Sequence, residues 1–313
     1  MDGIDVTGST VKVYGINAGS LWWPYREVFQ DSLQLPPEHG STIPVFCFLI
    51  HHPEHGRYMF DLGIRKHGEG YPPACHESIK EFSATCNDSS AEQLSRGDVD
   101  PATVKGVIFS HLHWDHTGDI TTFPSAEIIL GKESKPLLDK PYPHFKEAFF
   151  AEWPAGRTAT YLDFSESAAN PPPTGFPRPI PRRVAPLGPF AQALDFFGDG
   201  SLYILDTPGH LPGHLTVLAR VANTPGNAFI LLAADTCHNR ECYKTGHRLI
   251  SELNYLDLEV ARESVRKLAQ VNSDAKEVLV MLAHEKEFEH EMPFFPNELG
   301  GWVVEEVAKK SKV

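Results

Sequence analysis

The chain has 313 residues, of which 41% are hydrophobic and 22% charged, a composition typical of a globular protein with a buried core. Its net charge of -13 and the lack of a dense Lys/Arg cluster argue against nucleic acid and anionic membrane surfaces as partners. No apolar run is long enough to cross a bilayer. The first residues have no basic or apolar character and the five cysteines are an odd number, so we expect free thiols, no secretory signal and a cytoplasmic location.

The first hundred residues are predicted to contain three strands. Residues 11–18 form the first, and the apolar runs at 42–51 and 57–62 flank a turn composition that is typical of a hairpin. Residues 63–97 are polar with scattered glycines. This stretch is therefore expected to be mainly loop, with one helix near 77–84.

The middle of the chain is predicted to combine buried strands with a long irregular stretch. An aspartate–proline pair at 100–101 indicates the start of a short helix, which leads into the apolar residues 107–109. A further strand is predicted at 126–130. Residues 171–189 are dense in proline and are expected to lack regular structure. They belong to a Pro-rich loop or insertion around 154–190.

The last third of the chain is predicted to hold paired strands followed by a helix. Four strands in two hairpins are expected at 193–197, 201–205, 215–221 and 228–233. Helical spacing of apolar residues predicts a helix over 256–271 with Asp257 as its N-cap, followed by a buried strand at 277–282 and a helix at 303–310. This order indicates two sheets between helical layers in a single domain covering 1–313.

Histidine and aspartate are concentrated directly after the strand at 107–109. The sequence HLHWDH contains His111, His113, Asp115 and His116 within six residues. Imidazole nitrogens and carboxylate oxygens are good zinc ligands, and two histidines two positions apart can point the same way from an extended chain. A lone histidine is usually only a solvated side chain. Three histidines and an aspartate at this spacing, directly after a buried strand, predict a metal site.

Three more strand ends carry the same chemistry. TPGHLPGH presents His210 in a tight turn, and Asp235 and His284 each follow an apolar strand. An acidic or imidazole group placed repeatedly at the end of a buried strand is how the rim of a sheet assembles a site for more than one metal ion. The sequence therefore predicts a polynuclear centre.

These motifs resemble the metal-binding motifs of the metallo-β-lactamase superfamily. Within it, the chain is most similar to the N-acyl-homoserine-lactone lactonase group. The likeness runs in order through VKVYGINAG, IPVFCFLI, MFDLG, VIFSHLHWDH and TPGHLPGH. It implies an α/β fold of the αββα sandwich type, with two mixed β-sheets flanked by helices.

The resemblance also implies how the ligands are divided between two metal ions. The first ion would be held by His111, His113 and His210, and the second by Asp115, His116 and His284. Asp235 would bridge both ions, and His214 would be a structural neighbour rather than a ligand. We expect two zinc ions per chain, although sites built from imidazole and carboxylate also accept iron, cobalt or manganese.

The chain departs from the lactonase pattern at two positions. Ala283 stands where glycine usually precedes the last ligand, and His238 stands where the lactonases carry a catalytic tyrosine. His238 is nevertheless a candidate catalytic residue, because its ring could donate a hydrogen bond to substrate. In the implied mechanism a hydroxide that bridges two zinc ions attacks a carbonyl, and Asp115 passes a proton towards the leaving group.

Aromatic residues predict the nature of the substrate. An apolar pocket could be lined by the proline-rich stretch and by Trp22, Trp23, Phe149, Phe150 and Trp153, unless these are ordinary core residues. The preferred substrate is a small molecule, an apolar lactone or a small lactam. The oligomeric state is open, with a homodimer as one option.

Three other functions stay open from the sequence. A thioester hydrolase of the glyoxalase II type uses the same ligands but resembles the chain less well. A mononuclear iron dioxygenase of the same superfamily is disfavoured because the second ligand set is complete through His116 and His284. A non-catalytic metal-binding protein is least favoured, since all seven ligands are present.

Overall fold

Two six-stranded sheets face each other in the part of the chain that the computed structural model describes, namely Met1 and residues 8–165, 170, 184–223, 227–244 and 248–310. The first sheet follows chain order through β1 (Lys12–Pro24), β2 (Gly40–His52), β3 (Gly56–Phe60), β4 (Val104–Ile108), β5 (Glu127–Gly131) and β6 (Ala159–Leu162). The strands of the second sheet are also neighbours in chain order. They are β7 (Val184–Leu187), β8 (Phe190–Asp195), β9 (Leu202–Asp206), β10 (Leu215–Ala222), β11 (Ala228–Ala234) and β12 (Val278–Leu282).

Both sheets are mixed. Strands β3 to β6 pair in parallel, and β11 pairs in parallel with β12, whereas the remaining neighbours are antiparallel. The parallel strands all end at the same edge of their sheets. That edge carries the residues of the candidate site.

Helices cover the outer faces of the two sheets. The α-helices of the described residues are α1 (Tyr25–Val28), α2 (His76–Glu81), α3 (Ser90–Arg96), α4 (Trp114–Thr117), α5 (Leu258–Asp274) and α6 (Gly300–Lys310). Helix α5 packs Ala261, Val265 and Leu268 against the second sheet, and α3 packs Leu94 against the first. The predicted αββα sandwich is therefore confirmed.

Strand β2 explains why an unbroken apolar run forms a strand in this fold. Phe46 and Phe48 point into the core between the sheets, where they join Ile204 of the second sheet. Cys47 and Leu49 point to the opposite face and belong to the outer core under α3. Because both faces are covered, positions 43–50 of the strand are all apolar, and each large side chain contributes about 1.5–3 kcal/mol on burial.

Most predicted elements are present. The hairpin at 42–62, the strand before Phe109 and the helix at 256–271 are confirmed with shifts of a few residues, and β1 extends beyond its prediction to Pro24. Asp257 accepts a hydrogen bond from the backbone N–H of Val260, as expected of an N-cap. All five cysteines are buried free thiols. No helix among the described residues combines the length and apolar character needed to cross a membrane.

The prediction of no regular structure at 171–189 is wrong for its last part. Strand β7 (Val184–Leu187) pairs with β8, and the register shifts between Ala185 and Leu187, where Pro186 lies. An edge strand tolerates proline there because one side of it needs no ladder partner. The rest of the prediction, at 171–183, lies outside the described residues.

Further elements were not predicted, among them a helix and a strand. Helix α3 (Ser90–Arg96) lies in the stretch expected to be mainly loop, and it begins with a capping box between Ser89 and Glu92. Strand β6 (Ala159–Leu162) pairs in parallel with β5. Its four residues are too few to show a clear period in the sequence.

Candidate metal centre

The seven predicted metal ligands lie together at the ends of strands from both sheets. They form two groups of four in which one ligand atom from each residue lies within 4.8 Å of the others: His111, His113, His210 and Asp235, and then Asp115, His116, Asp235 and His284. Asp235 belongs to both groups. These residues follow the C-terminal ends of β4, β9, β11 and β12, which all lie at this edge of the sheets.

Three histidine nitrogens of the first group form a small triangle. Nε2 of His111 lies 3.0 Å from Nδ1 of His113 and 3.2 Å from Nε2 of His210, and the His113–His210 side is 2.9 Å. Asp235 adds its Oδ2 atom, 3.6 Å from Nε2 of His210. Nitrogen ligands about 2.0–2.1 Å from a tetrahedral zinc ion lie about 3.3 Å apart, so the spacing fits one ion.

Hydrogen bonds outside the triangle determine which ring nitrogens carry protons. Nδ1 of His210 lies 2.7 Å from the carbonyl oxygen of Asn254, which can only accept, so Nε2 is left as a bare lone pair. Nδ1 of His111 donates to the hydroxyl of Ser110 at 2.9 Å, because that hydroxyl gives its own proton to Asp61. The two Nε2 lone pairs therefore face each other, and a cation between them would convert their repulsion into ligation.

The second group surrounds two carboxylates. Nε2 of His116 lies 3.3 Å from Oδ2 of Asp235 and 3.5 Å from Oδ2 of Asp115. Nε2 of His284 lies 3.3 Å from Oδ1 of Asp235 and 3.4 Å from Oδ2 of Asp115. Nδ1 of His284 donates to the backbone carbonyl of Pro44 at 2.9 Å, which directs Nε2 to the carboxylates. Asp235 thus offers one oxygen to each side of the centre.

The electrostatics of the cluster favour a bound cation. Among the described residues, only histidines form ion pairs with the buried Asp115 and Asp235. Burial lowers the pKa of His113 to about 4, which keeps it neutral at pH 7. Burial would also lower the pKa of His284, but Asp235 and Asp115 outweigh it and raise the value to about 9. The carboxylates therefore draw positive charge into the site.

Several polar atoms of the cluster are buried without a hydrogen-bond partner among the described residues. They include Nε2 of His116, Nε2 of His238, Nε2 of His284 and Oδ1 of Asp235. Buried polar atoms are normally paired, and an unpaired one costs about 1–3 kcal/mol. Ligation satisfies the atoms of His116, His284 and Asp235 at once, so these residues fit a metal centre.

Asp61 is a residue of the site that the sequence reasoning missed. Its carboxylate accepts the N–H and the hydroxyl proton of Ser110 at 2.7 Å each, and Nδ1–H of His116 at 2.9 Å. It thereby orients His116 directly and His111 through Ser110. The signal was available, because Asp61 directly follows β3 just as Asp235 follows β11. Such outer partners fix the ring orientation of metal-binding histidines.

His214 lies beside the cluster in a different bonding state. Its Nε2 atom accepts the backbone N–H of Asp235 at 3.2 Å, and its Nδ1 atom lies 3.0 Å from the carbonyl oxygen of Thr207. Both ring nitrogens are thus occupied by protein partners. This agrees with the expectation that His214 is a structural neighbour.

His238 also lies at the cluster but is only 2% exposed. Its Nε2 atom is 3.3 Å from Oδ2 of Asp235, and its Nδ1 atom is 3.2 Å from the hydroxyl of Tyr255. The indole of Trp23 packs on its ring with the centroids 4.5 Å apart. The structure therefore places His238 against the shared carboxylate, behind an aromatic side chain.

A cavity of about 310 Å³ opens beside the metal ligands. His113 and Asp115 line it, and much of the remaining wall is apolar: Leu21, Trp23, Phe82, Leu112, Trp114, Phe149 and Phe150. A neighbouring cavity of about 350 Å³ shares Leu112, Trp114, Phe149 and Phe150 and includes Trp153. The predicted aromatic residues therefore line these cavities, except for Trp22, whereas residues 171–183 of the proline-rich stretch lie outside the described part of the chain. Trp22 instead donates its indole N–H to the carbonyl of Pro37.

The fold and the site are matched by known proteins. A family model of the metallo-beta-lactamase superfamily matches residues 41–275, which is most of the chain. The chain therefore belongs to the metallo-beta-lactamase superfamily. Together with the His/Asp cluster and the hydrolases among its relatives, this defines a metal-dependent hydrolase.

Fungal relatives extend the match to nearly the whole chain. The metallo-hydrolase mfmC of Annulohypoxylon moriforme is 27% identical over 355 residues, covering 99% of this chain and 88% of the relative. The gamma-lactamase FDB1 of Fusarium pseudograminearum (strain CS3096) is 35% identical over 204 residues, covering 62% of this chain and 45% of the relative. Against the cytochrome P450 monooxygenase mpaDE' of Penicillium brevicompactum, the chain spans 37% of that longer protein at 27% identity.

A solved structure shares the architecture. An N-acyl homoserine lactone hydrolase with N-hexanoyl-L-homoserine bound at its catalytic metal centre has a TM-score of 0.62 to this chain. The sequence identity is 21%, and the match covers 93% of this chain and 100% of that one. The likeness supports the assignment of the fold.

Proposed function

We propose that this chain is a dinuclear zinc hydrolase that opens an apolar lactone or a small lactam. The observation that carries the proposal is the pair of four-residue groups sharing Asp235 beside an apolar cavity. The first zinc ion would be held by His111, His113 and His210, and the second by Asp115, His116 and His284. Bound zinc supplies Lewis acidity towards the substrate carbonyl and lowers the pKa of water to about 7.

The cavity determines what kind of substrate fits. A volume of about 310 Å³ is at the small end of ligand sites, and its wall is mostly aromatic and aliphatic. Phe149, Phe150 and Trp114 separate this space from the second cavity and would contact an apolar substituent of the ring. A gamma-lactamase among the relatives makes a lactam as reasonable as a lactone.

Asp115 is the residue placed to move a proton. Its carboxylate lines the cavity and also lies within 3.5 Å of Nε2 of both His116 and His284. It can therefore receive a proton from the attacking water and pass it to the oxygen or nitrogen that leaves the carbonyl carbon. The residues that line the cavity do not include His238. Its role as a hydrogen-bond donor to substrate stays a prediction.

The test combines metal content with a substrate panel. Purified protein is analysed for metal, and the zinc-loaded protein is offered lactones, lactams and thioesters, with Asp235→Ala as control. Two metal equivalents and ring opening that a chelator abolishes and zinc restores would support the proposal. Hydrolysis of thioesters alone would indicate a glyoxalase II-like enzyme, and one iron equivalent without hydrolysis would indicate a dioxygenase.

Three expectations from the sequence accompany this proposal as predictions. A single domain over 1–313, a homodimer and a cytoplasmic location each await their own measurement. Limited proteolysis tests the first, because one domain resists internal cleavage as a unit. Light scattering and fractionation of cells test the other two.

A further inference from the structure

Tyr255, His238 and Asp235 form a buried chain of polar contacts that ends on the carboxylate shared by both ligand groups. The Tyr255 hydroxyl lies 3.2 Å from Nδ1 of His238, and Nε2 of His238 lies 3.3 Å from Oδ2 of Asp235. All three residues are buried. Neither Tyr255 nor His238 belongs to the ligand set proposed above.

The direction of the protons follows from the partners of Tyr255. Among the described residues, its hydroxyl has only one hydrogen-bond partner, Nδ1 of His238. A phenol has a pKa of about 10, so the hydroxyl keeps its proton at neutral pH. A buried O–H needs an acceptor, and Nδ1 is the acceptor at hand. When Nδ1 of His238 accepts, the ring proton is on Nε2, whose nearest acidic oxygen is Oδ2 of Asp235.

The opposite arrangement would carry two penalties. If Nδ1–H donated to the tyrosine oxygen, the proton of the Tyr255 hydroxyl would have no acceptor among the described residues. The bare Nε2 lone pair of His238 would also face the anionic Oδ2 of Asp235 at 3.3 Å. The Nε2–H form avoids both penalties and is therefore favoured.

This proton arrangement separates His238 from the metal-binding histidines. In His210 and His284, Nδ1–H donates to a backbone carbonyl, which leaves Nε2 as the nitrogen that can ligate a cation. In His238 the polarity is reversed, because Nδ1 accepts and Nε2 carries the proton. A protonated nitrogen cannot ligate a metal, but it can hold a carboxylate in place.

We propose that His238 is a positioning residue that directs an Nε2–H group at Oδ2 of Asp235, and that Tyr255 sets the tautomer of His238. The inference deepens the proposed function and rests on it, since Asp235 matters here as the shared ligand. Trp23 packs on the rings of both His238 and His284, with centroids 4.5 and 5.0 Å away, and keeps the His238 ring in this orientation.

The first experiment measures the tautomer directly and needs no metal or substrate. A two-bond ¹⁵N–¹H correlation spectrum of the histidine rings is recorded at neutral pH, and His238 is assigned by the signal lost in His238→Gln. We expect a proton on Nε2 of His238 and an unprotonated Nδ1. A proton on Nδ1 of His238 would overturn the proposal.

The second experiment is a double-mutant cycle on zinc affinity, measured by competition with a chelator. Outer partners of a metal centre typically contribute about 10–100-fold in affinity. We expect His238→Leu to fall in that range, His238→Gln to recover part of it through its amide N–H, and Tyr255→Phe to have a smaller effect. Tyr255→Phe added to His238→Leu should change nothing further, because Tyr255 acts only through His238.

A control and a spectroscopic measurement separate positioning from other roles. Tyr58→Phe removes a hydroxyl from a buried tyrosine in the core between the sheets and should leave zinc affinity unchanged. In the cobalt-substituted protein, His238→Leu should shift the visible absorption bands without loss of a metal equivalent. Loss of one equivalent would make His238 a ligand, and unchanged bands and affinity with a lower kcat would make it a substrate contact. Either result overturns the proposal.

These measurements also distinguish the inference from the proposed function. If the substrate panel shows no lactone or lactam hydrolysis, the substrate assignment fails, while the tautomer and the zinc-affinity cycle keep their expected values. If hydrolysis is found but the cycle is additive, the enzyme function stands and the positioning role of Tyr255 fails.

Discussion

Two clusters of histidine and aspartate lie at opposite ends of the sandwich. One is the metal centre, where the strands β4, β11 and β12 end. The other lies where β2 ends and β3 begins, and there His52 contacts Asp199 in the turn between β8 and β9. In the sequence the second cluster is also dense in histidine, with His51, His52 and His55 within five residues.

The second cluster satisfies its own hydrogen bonds. Nδ1 of His52 accepts the backbone N–H groups of Glu54 and His55 at 3.1 Å each, so Nε2 carries the proton and donates it to Asp199 at 2.9 Å. The ring also packs on Phe197 with centroids 4.5 Å apart. Every polar atom of the His52 ring has a protein partner, and the residue acts as a turn support.

The metal centre contains the same residue types, but several of their polar atoms have no hydrogen-bond partner among the described residues. There the Nδ1–H groups of His210 and His284 donate outward to carbonyl oxygens, and their Nε2 atoms point inward, at His111 and at Asp235 respectively. A ring nitrogen that points at a common centre, in a histidine whose other nitrogen donates outward, indicates a ligand, whereas a ring with both nitrogens hydrogen-bonded indicates a structural role. The density of histidines in a sequence does not separate the two cases.

The largest effect is expected from Asp235→Asn at the metal centre. The substitution preserves shape but replaces an anionic oxygen shared by both ligand groups with a neutral amide. We expect loss of at least one metal equivalent and a fall in hydrolysis beyond the roughly 10–100-fold typical of outer partners. Elemental analysis and kinetics on the same preparation check it. Two full metal equivalents in the variant would contradict the shared-ligand role.

An intermediate effect is expected from Asp61→Asn, which touches the centre only through other residues. Asparagine tolerates the backbone φ of 60° at this position, so the variant should fold. Its amide group must turn an N–H towards one of three donors on Ser110 and His116. We expect zinc affinity or kcat/KM to fall about 10–100-fold with little change in Tm. Calorimetry and chelator titration of the same variant check this. If Asp61 served only the fold, the Tm would fall and the zinc affinity would stay unchanged.

The smallest effect on the metal centre is expected from Asp199→Ala, which breaks the opposite cluster. Zinc content and activity should be unchanged, while removal of the acceptor of buried His52 costs about 1–3 kcal/mol of unfolding free energy at pH 7. Denaturant unfolding of wild type and variant measures the difference. A lost metal equivalent would mean that the two ends of the sandwich are coupled.

The same variant gives a signed dependence on pH. Burial by itself would raise the pKa of Asp199, but hydrogen bonds from His52 and Ser201 outweigh it and hold the pKa well below its usual value. A carboxylate whose pKa is lowered by folding stabilises the native state above its unfolded pKa of about 3.9 and loses that contribution as the pH falls. The stability difference between wild type and Asp199→Ala should therefore shrink below about pH 4.

The sequence by itself determined the elements that depend on local pattern. Apolar runs of four to eight residues predicted the strands, and residues that follow them directly, such as His111, Asp235 and His284, were assigned to one edge of the sheets. The helix N-cap at Asp257 was likewise readable, because a cap depends on residues next to it in the chain. These features depend on neighbours a few positions away, which the sequence displays.

Only the tertiary structure decided which ring nitrogens are free and what fills the space around them. Asn254 and Pro44 act on His210 and His284 through backbone carbonyls, which carry no residue-specific signal in a sequence. Tyr255 reaches His238 from 17 positions away in the chain. Strand β7 formed in a proline-rich stretch because β8 offered it a partner. In each case the determining interaction joins atoms that only folding brings together, and local pattern has no access to it.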